Sequence, residues 1–140
     1  MERVARCGCG NVQITVKNEP QDCWVCHCDY CQRSTGTIGV FAAVFLEEDV
    51  VSIEGDTTKF DDLPKWPGAE RYFCSTCGTT VHWINPGSLP GKRLIAAGCF
   101  ADPDFSIPAL PGPTRSMQTQ HRPDWCGDFS GAQSFKAYPE

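Results

Sequence analysis

Hydrophobic and polar residues alternate over several short stretches of the chain, which is the pattern of β-strands. Within Asn11–Lys17, the residues Val12, Ile14 and Val16 alternate with polar neighbours, so one face of this segment is predicted to be buried. Further strands are predicted at Thr37–Phe45, Val50–Ile53, Thr57–Phe60, Glu70–Phe73, Thr79–Ile84, Arg93–Ala97 and Arg115–Gln120. Short strands at this spacing predict a mostly β fold.

Turns and loops separate these predicted strands. The segment Cys74–Gly78 lies between two of them and is predicted to form the tip of a hairpin. Asp62–Gly68 and Pro103–Pro113 are rich in proline and are predicted to be loops. No repeat, low-complexity tract or block of charge marks an internal boundary, so residues 1–140 are predicted to form a single domain.

Composition argues against several classes of partner. The net charge is −5 and no run of basic residues occurs, whereas nucleic acids and anionic membranes attract clustered positive charge. The longest mostly apolar run, Ile38–Leu46, is too short to span a bilayer, and the first ten residues lack the apolar region of a signal peptide. We therefore expect a cytoplasmic protein, whose ten cysteines indicate metal or thiol chemistry rather than disulfides.

Four cysteines form a first predicted metal site. Cys7 and Cys9 form a C-x-C pair, whose sulfurs would project to one side of an extended segment, and Cys74 and Cys77 form a C-x2-C pair in a turn. Tetrahedral zinc needs sulfur atoms about 3.8 Å apart, which both spacings can supply. Closing a loop of about 65 residues costs about 4 kcal/mol plus a constant, and structural zinc contributes on the order of 10 kcal/mol. Zinc can therefore hold the two pairs together.

The segment CWVCHCDYCQR contains a second predicted metal site. Cys26, Cys28 and Cys31 form a compact hook with three thiolates, and three protein ligands leave one position of tetrahedral zinc open, as in catalytic sites. The additional Cys23 would close the site with four cysteines if it joined the hook. Trp24 suggests that a strand leads into the hook, and residues three apart on a strand face opposite sides, which argues against a ligand role for Cys23.

The cysteine motifs together resemble one known family. The segments R-C-x-C-G, C-H-C-x2-C-x-R and F-C-x2-C-G-T, with a C-terminal strand followed by Trp125, are similar to the glutathione-dependent formaldehyde-activating (Gfa) family, also called the centromere protein V/Gfa domain. The resemblance implies the Mss4-like fold, a β-rich tent of packed sheets stapled by zinc. It also implies carbon–sulfur lyase activity that condenses glutathione with formaldehyde to S-(hydroxymethyl)glutathione.

The resemblance also implies roles for particular residues and two zinc ions per chain. Cys7, Cys9, Cys74 and Cys77 match structural zinc ligands, and Cys26, Cys28 and Cys31 match the ligands of a catalytic zinc. The implied partners are glutathione or a similar small thiol and a small aldehyde. The chain is shorter than the founding enzymes of the family and carries Cys23, Cys99 and Cys126 in addition, which leaves the substrate open.

Other residues are weighed as substrate contacts or proton carriers. Glutathione has two carboxylates, and Arg33 is the arginine nearest to the hook in sequence; weaker candidates are Arg71, Arg115 and Arg122. The base or proton shuttle is sought among His27, Tyr30 and His121, although His27 between two ligands is more often structural. Trp66 and Trp125 could line a pocket, but core positions are favoured for both. His82 is predicted to be structural and Cys99 to be a small core residue.

Three functional hypotheses remain open at this point. The first is a zinc-dependent enzyme that acts on a thiol–aldehyde adduct, and the second is a related lyase with another substrate. The third is a non-catalytic zinc-stapled module that carries glutathione or binds a protein, since a fold does not fix a function. Coordination of Cys23 with the other three cysteines would favour the module, because a closed site cannot accept a substrate.

Overall fold

The computed structural model describes residues 1–104 and 109–139, and the strands among them confirm the mostly β fold class. The strands are β1 (Glu2–Arg6), β2 (Gln13–Lys17), β3 (Asp22–Cys26), β4 (Val40–Leu46), β5 (Val50–Glu54), β6 (Thr57–Phe60), β7 (Glu70–Cys74), β8 (Thr80–Ile84), β9 (Lys92–Ala96), β10 (Arg115–Met117) and β11 (Gln133–Ser134). The helices are α1 (Asp29–Thr35) and the 3₁₀ helices Glu47–Asp49, Ala97–Phe100 and Thr119–His121. Part of the predicted loop Pro103–Pro113 lies outside the described residues. No helix in the described ranges is long and apolar enough to cross a membrane.

Contacts within the chain divide it into two compact units. The first unit comprises Met1–Gln21 and Ala43–Leu110, and the second comprises Asp22–Ala42 and Pro111–Glu140. The chain passes from the second unit to the first within β4, so neither unit is a continuous segment. The assignment of residues 1–140 to a single domain stays a prediction.

The first unit contains two antiparallel arrangements of strands. One is the sheet with strand order β1-β2-β5, and the other runs in the order β9-β8-β7-β6. Val12, Ile14 and Val16 are fully buried, which confirms the predicted alternation around β2. The rings of Phe45 and Phe100 lie 5.9 Å apart and belong to the same core.

The second unit is built around β10, which pairs in parallel with both β3 and β11. Met117 of β10 lies opposite Cys26, the last residue of β3, so the sheet ends where the hook begins. Helix α1 begins within the hook, because Cys31 lies in its first turn. It is capped by the Cys28 sulfur, which accepts a hydrogen bond from the Cys31 N–H, and it ends at Gly36 in a left-handed conformation.

Two of the differences from the sequence predictions have local physical reasons. β1 was not predicted, because its buried face combines the small Ala5 with Arg3, whose guanidinium pairs with Glu19. The predicted strand Arg115–Gln120 is shorter, since Gln118 has a φ of +56° and leads into a 3₁₀ turn.

Candidate functional site

The first unit brings Cys7, Cys9, Cys74 and Cys77 together, with all four sulfur atoms within 4.8 Å of one another. The Sγ atom of Cys9 lies 3.6 Å from that of Cys7 and 3.8 Å from that of Cys74. These separations match the value of about 3.8 Å that follows from tetrahedral zinc–sulfur bonds near 2.3 Å. The donor set therefore fits a structural zinc ion.

Two turns shape this four-cysteine cluster. The pair at Cys7 was expected on an extended segment, but it lies in a turn closed by the Gly10 N–H, which donates to the Cys7 carbonyl at 3.0 Å. The sulfurs thus converge because the chain bends, and not because their positions share one side of a strand. The other turn is the predicted hairpin tip between β7 and β8, where the Gly78 N–H donates to the Cys74 carbonyl at 2.9 Å.

Both turns contain a glycine that the backbone requires. Gly10 has a φ of +82° and Gly78 a φ of +80°, a region that other residues rarely adopt. Thr79 connects the turns, because its hydroxyl accepts from the Gly8 N–H at 3.0 Å and lies 3.2 Å from the Cys77 sulfur. The C-x-C-G and C-x2-C-G-T motifs therefore fix the positions of all four sulfurs.

Electrostatics of the four thiols favour a bound cation. Hydrogen bonding from Thr79 lowers the pKa of Cys77 to about 5. The Asn11 N–H lowers the pKa of Cys9, yet desolvation and the neighbouring thiols raise it to about 12. A thiolate at Cys77 thus disfavours ionisation of Cys9 by like-charge repulsion, and a divalent cation removes that repulsion.

The second unit brings Cys26, Cys28 and Cys31 together, again with all sulfur atoms within 4.8 Å of one another. The Sγ atoms of Cys28 and Cys31 lie 2.9 Å apart, and Cys28 and Cys26 are buried whereas Cys31 is half-buried. Cys23 is buried on β3 and is not a member of this group. Three cysteines in one place are a donor set that zinc binds with one position left for another ligand, and the Cys28 and Cys31 sulfurs would separate to about 3.8 Å around the ion.

Like-charge effects are also strong in this three-cysteine cluster. The pKa of Cys26 is raised to about 11, chiefly by its hydrogen bond with Cys28, and the pKa of Cys31 is raised by hydrogen bonding with Cys26 and Cys28. Burial, together with the nearby thiolates, raises the pKa of Tyr138, whose hydroxyl lies 4.0 Å from the Cys26 sulfur. Ionisation of Cys26 and Cys31 is therefore disfavoured in the free cluster, and a cation would offset this cost.

His27 anchors the hook through both of its ring nitrogens. Its ring is fully buried, and because a carbonyl can only accept, Nδ1 donates to the Ile38 carbonyl at 2.7 Å. Nε2 then accepts from the Ser116 hydroxyl at 2.9 Å. The ring also stacks on Phe129, with centroids 6.1 Å apart. Both nitrogens are engaged, so the geometry supports the structural interpretation of His27 over that of a proton carrier.

Gln32 and Gly39 complete the support of the hook. The Gln32 side-chain amide donates to the carbonyl of His27 at 2.8 Å and to that of His121 at 2.7 Å. A Cβ atom at Gly39 would lie only 2.5 Å from the Cys26 carbonyl oxygen and 3.2 Å from His27 Nδ1. Only glycine permits this close approach of the two backbones.

The remaining cysteines lie outside both clusters. Cys99 is half-buried in a 3₁₀ helix rather than in the core where it was expected, and burial raises its pKa to about 11. Cys126 is half-buried and its sulfur contacts the Gly127 carbonyl at 3.7 Å. All ten cysteines of the chain carry thiols rather than disulfides.

The structure places Arg33 at the surface of the second unit. It lies on α1, its side chain is 79% exposed, and it pairs with Asp29 one turn earlier at 3.0 Å. The weaker arginine candidates have partners of their own: Arg115 pairs with Asp22, Arg122 with Asp128, and Arg71 lies over the rings of Phe60 and Phe73. Arg71 belongs to the first unit, whereas the three-cysteine cluster belongs to the second.

The remaining tyrosine, histidine and tryptophan candidates differ in burial and in the unit to which they belong. Tyr30 is half-buried on α1, and His121 is exposed in the 3₁₀ turn that Gln32 holds. Trp66 is half-buried, but Trp125 is 77% exposed, so a core position for Trp125 was wrong. His82 is buried in the first unit, where it stacks on Tyr72 and accepts from Arg93 at 2.8 Å, in agreement with a structural role.

Sequence reasoning missed Tyr138, Gln32 and Ser116. Gln32 directly follows the hook, and its position one residue after Cys31 would have drawn attention to it if α1 had been predicted. Ser116 and Tyr138 reach the hook only through the pairing of β10 with its neighbours. No spacing along the chain signals that pairing, so neither residue could be found from the sequence.

Comparisons with known proteins agree with this arrangement. The sequence matches the family described as glutathione-dependent formaldehyde-activating enzyme over residues 2–115. A solved structure of a Rhodobacter sphaeroides protein, a structural genomics target, is similar, with a TM-score of 0.57 and 25% sequence identity; the alignment covers 79% of this chain and 100% of that one. No curated protein gives a significant match. The mostly β structure and its cysteine clusters fit the Mss4-like fold. The family match spans more than half of the chain, and the chain therefore belongs to the glutathione-dependent formaldehyde-activating enzyme family.

Proposed function

We propose that the protein is a zinc-dependent carbon–sulfur lyase, similar to S-(hydroxymethyl)glutathione synthase, which joins the thiol of glutathione to formaldehyde or another small aldehyde. The observation that carries the proposal is the composition of the second cluster, in which three sulfurs converge and Cys23 takes no part. A cluster of three leaves room for the sulfur of a substrate, whereas a cluster of four does not. Membership of the family supports the same reaction.

Each cluster would hold one zinc ion and serve a different purpose. Cys7, Cys9, Cys74 and Cys77 would hold a structural ion that joins two distant turns of the first unit. The three-cysteine cluster would hold the catalytic ion in the second unit. The cytoplasm, which the sequence predicts as the compartment, is reducing and would keep these thiols from forming disulfides.

When bound by three thiolates, zinc supplies a place where a fourth thiol loses its proton and stays nucleophilic. The chain's own residues keep the cysteine ligands in fixed positions. His27 and Gln32 fix the backbone of the hook through their hydrogen bonds, and the Cys31 N–H orients the Cys28 sulfur at 3.2 Å. Fixed positions matter because holding thiolate and aldehyde together supplies much of the rate enhancement.

The reaction balances without a redox partner. The thiolate sulfur of glutathione forms a bond to the carbonyl carbon, and the π electron pair of the C=O bond moves to oxygen. That oxygen takes up one proton, which replaces the proton that the thiol released. The product is a thiol adduct with a hydroxymethyl group when the aldehyde is formaldehyde.

Glutathione's carboxylates would be bound by cationic side chains. Arg33 is our candidate, because it lies on the helix that starts at the hook and its guanidinium is largely exposed. Its partner Asp29 is also exposed, so a substrate carboxylate can replace Asp29 at little cost. An arginine fork suits a carboxylate because it donates two parallel hydrogen bonds.

The test compares wild-type protein with Cys28→Ser and the control Cys126→Ser. Cys126 is half-buried in the same unit and outside the cluster, so it matches the chemical change without touching the site. We expect two zinc ions per chain in the wild type and the control, and one in Cys28→Ser. Calorimetry should detect glutathione binding only where the second zinc is present.

Activity is measured against the uncatalysed addition of glutathione to formaldehyde, which proceeds without enzyme. Wild type and Cys126→Ser should exceed this background, and Cys28→Ser should not. The proposal fails if the wild type holds a single zinc and Cys28→Ser changes neither zinc content nor glutathione binding. X-ray absorption at the zinc edge adds a structural criterion: four protein sulfurs at both ions before glutathione is added would indicate a binding module instead.

A further inference from the structure

The hydroxyl of Tyr138 lies beside the three-cysteine cluster. It is 4.0 Å from the Cys26 sulfur, at the outer limit of a hydrogen bond to sulfur. Cys26 is 3% exposed, whereas Tyr138 is 46% exposed, so the tyrosine lies next to a buried sulfur of the cluster and is itself open to solvent. Tyr138 also lies beyond residues 2–115, the part of the chain that matches the family.

Main-chain hydrogen bonds hold the segment that carries this hydroxyl. The Phe135 N–H donates to the Ser116 carbonyl at 2.8 Å, and the Gln118 N–H donates to the Ala137 carbonyl at 2.9 Å. These bonds continue the pairing of β11 with β10 up to the residue before Tyr138. Ser116 is the residue that also bonds the His27 ring. The tyrosine and the hook are therefore fixed by the same strand.

The proposed reaction needs a hydrogen-bond donor at this place. When the thiolate adds to the aldehyde, the carbonyl oxygen becomes negatively charged, and it is attached to the carbon that the sulfur has just bonded. A donor beside the sulfurs is thus close to the oxygen as its charge develops, where such a bond is most effective. A phenol can donate one hydrogen bond.

Two polar side chains beside the hook already use their hydrogen-bonding groups within the fold. His27 uses both ring nitrogens, and the two N–H groups of the Gln32 amide bond two carbonyls. The Tyr138 hydroxyl, by contrast, has a cluster sulfur as its neighbour. Displacing a weak contact of this kind costs little when a charged oxygen becomes available.

We propose that Tyr138 is a catalytic residue that donates a hydrogen bond to the oxygen formed on the aldehyde carbon as the carbon–sulfur bond is made. This inference rests on the proposed function and adds a group that acts on the aldehyde. The tyrosine undergoes no net change: the sulfur–carbon bond forms, the π pair moves to oxygen, and the proton that neutralises this oxygen comes from solvent. The same hydrogen bond stabilises the oxygen when the adduct breaks down in the reverse direction.

The test is Tyr138→Phe, which removes the hydroxyl and keeps the ring. The control is Tyr72→Phe, because Tyr72 belongs to the first unit and its hydroxyl donates to Glu70. Removing a buried oxyanion donor lowers kcat by about 100- to 1,000-fold, and a donor at a half-exposed position is worth less. We expect kcat for Tyr138→Phe to fall by about 10- to 100-fold in both directions of the reaction, and Tyr72→Phe to match the wild type.

Binding measurements separate a catalytic role from a packing role. Tyr138→Phe should keep the zinc content and the calorimetric Kd for glutathione of the wild type, since the oxygen is formed only after glutathione has bound. A change of more than about threefold in either quantity would overturn the inference, because the tyrosine would then act on zinc or thiol binding. An unchanged kcat in a wild type that is active would overturn it while leaving the proposed function intact. A wild type with no activity above background would instead refute the proposed function.

Discussion

Replacing Gly39 by alanine should damage the three-cysteine cluster without removing any ligand. The added Cβ atom would lie 2.5 Å from the Cys26 carbonyl oxygen, 3.2 Å from the Cys26 carbonyl carbon and 3.2 Å from His27 Nδ1. The nearest of these atoms belongs to the backbone, so it cannot rotate away as a flexible side chain would. The peptide that joins two positions of the hook must therefore move.

The size of the effect follows from the distance. Carbon–oxygen contacts in proteins are rarely shorter than about 3.3 Å, so the two backbones must separate by about 0.8 Å. Overpacking of this kind costs about 1–3 kcal/mol. Since 1.4 kcal/mol corresponds to a factor of ten, we expect zinc affinity at this cluster to fall by about 5- to 150-fold.

The assay is a competition titration of the zinc-loaded protein with a coloured chelator. Gly39→Ala should release one equivalent of zinc at lower chelator concentration than the wild type, while the equivalent held by the four-cysteine cluster is unchanged. Gly112→Ala is the matched control, because it lies in the same unit and a Cβ atom there would meet nothing within 4 Å. Equal release curves for Gly39→Ala and Gly112→Ala would refute the argument that the hook depends on this close approach.

Three further predictions concern metal, pH and substrate binding. Removal of zinc from the four-cysteine cluster by a strong chelator should lower Tm steeply in circular dichroism, because structural zinc contributes on the order of 10 kcal/mol; an unchanged Tm after complete zinc removal would contradict a structural role. Burial and the Arg93 guanidinium lower the pKa of His82 to about 4, so folded His82 stays neutral while unfolded His82 takes up a proton below about pH 6.5. The free energy of unfolding therefore falls as pH drops from about 6.5 to 4. In urea unfolding, the wild type should lose about 2 kcal/mol more of this free energy than His82→Phe between pH 7 and pH 5, and equal losses would refute this. Arg33→Ala should raise the Kd for glutathione about tenfold in calorimetry and leave Tm nearly unchanged, since the exposed pair with Asp29 adds only about 0.3–0.5 kcal/mol; an unaltered Kd would exclude Arg33 as a contact.

The sequence predicted those features that depend on neighbours along the chain. The burial of Val12, Ile14 and Val16 follows from a period of two residues, and β6 has the predicted bounds Thr57–Phe60. The grouping of the cysteines follows from spacings that make sulfurs converge in tight turns, whether or not the flanking segment is extended. Local geometry was sufficient for these features.

Features set by distant partners could not be predicted in this way. Strand β1 places Arg3 at a buried position where an apolar residue is expected, and Glu19 supplies the ion pair for it. Helix α1 has only seven residues and is capped by a cysteine sulfur, which is not among the usual capping groups. Tyr138 reaches Cys26 through strand pairing that spans more than a hundred residues of sequence.

The interleaving of the two units limits how this chemistry can be moved to another protein. A fragment cut where the family match ends, at residue 115, would keep the hook but lose most of β10, along with all of β11 and Tyr138. A short cysteine peptide grafted elsewhere would likewise lack the buried serine and the returning C-terminal segment that steady it. Transplantation therefore has to carry two separate stretches, residues 22–42 and 111–139, in one folded arrangement.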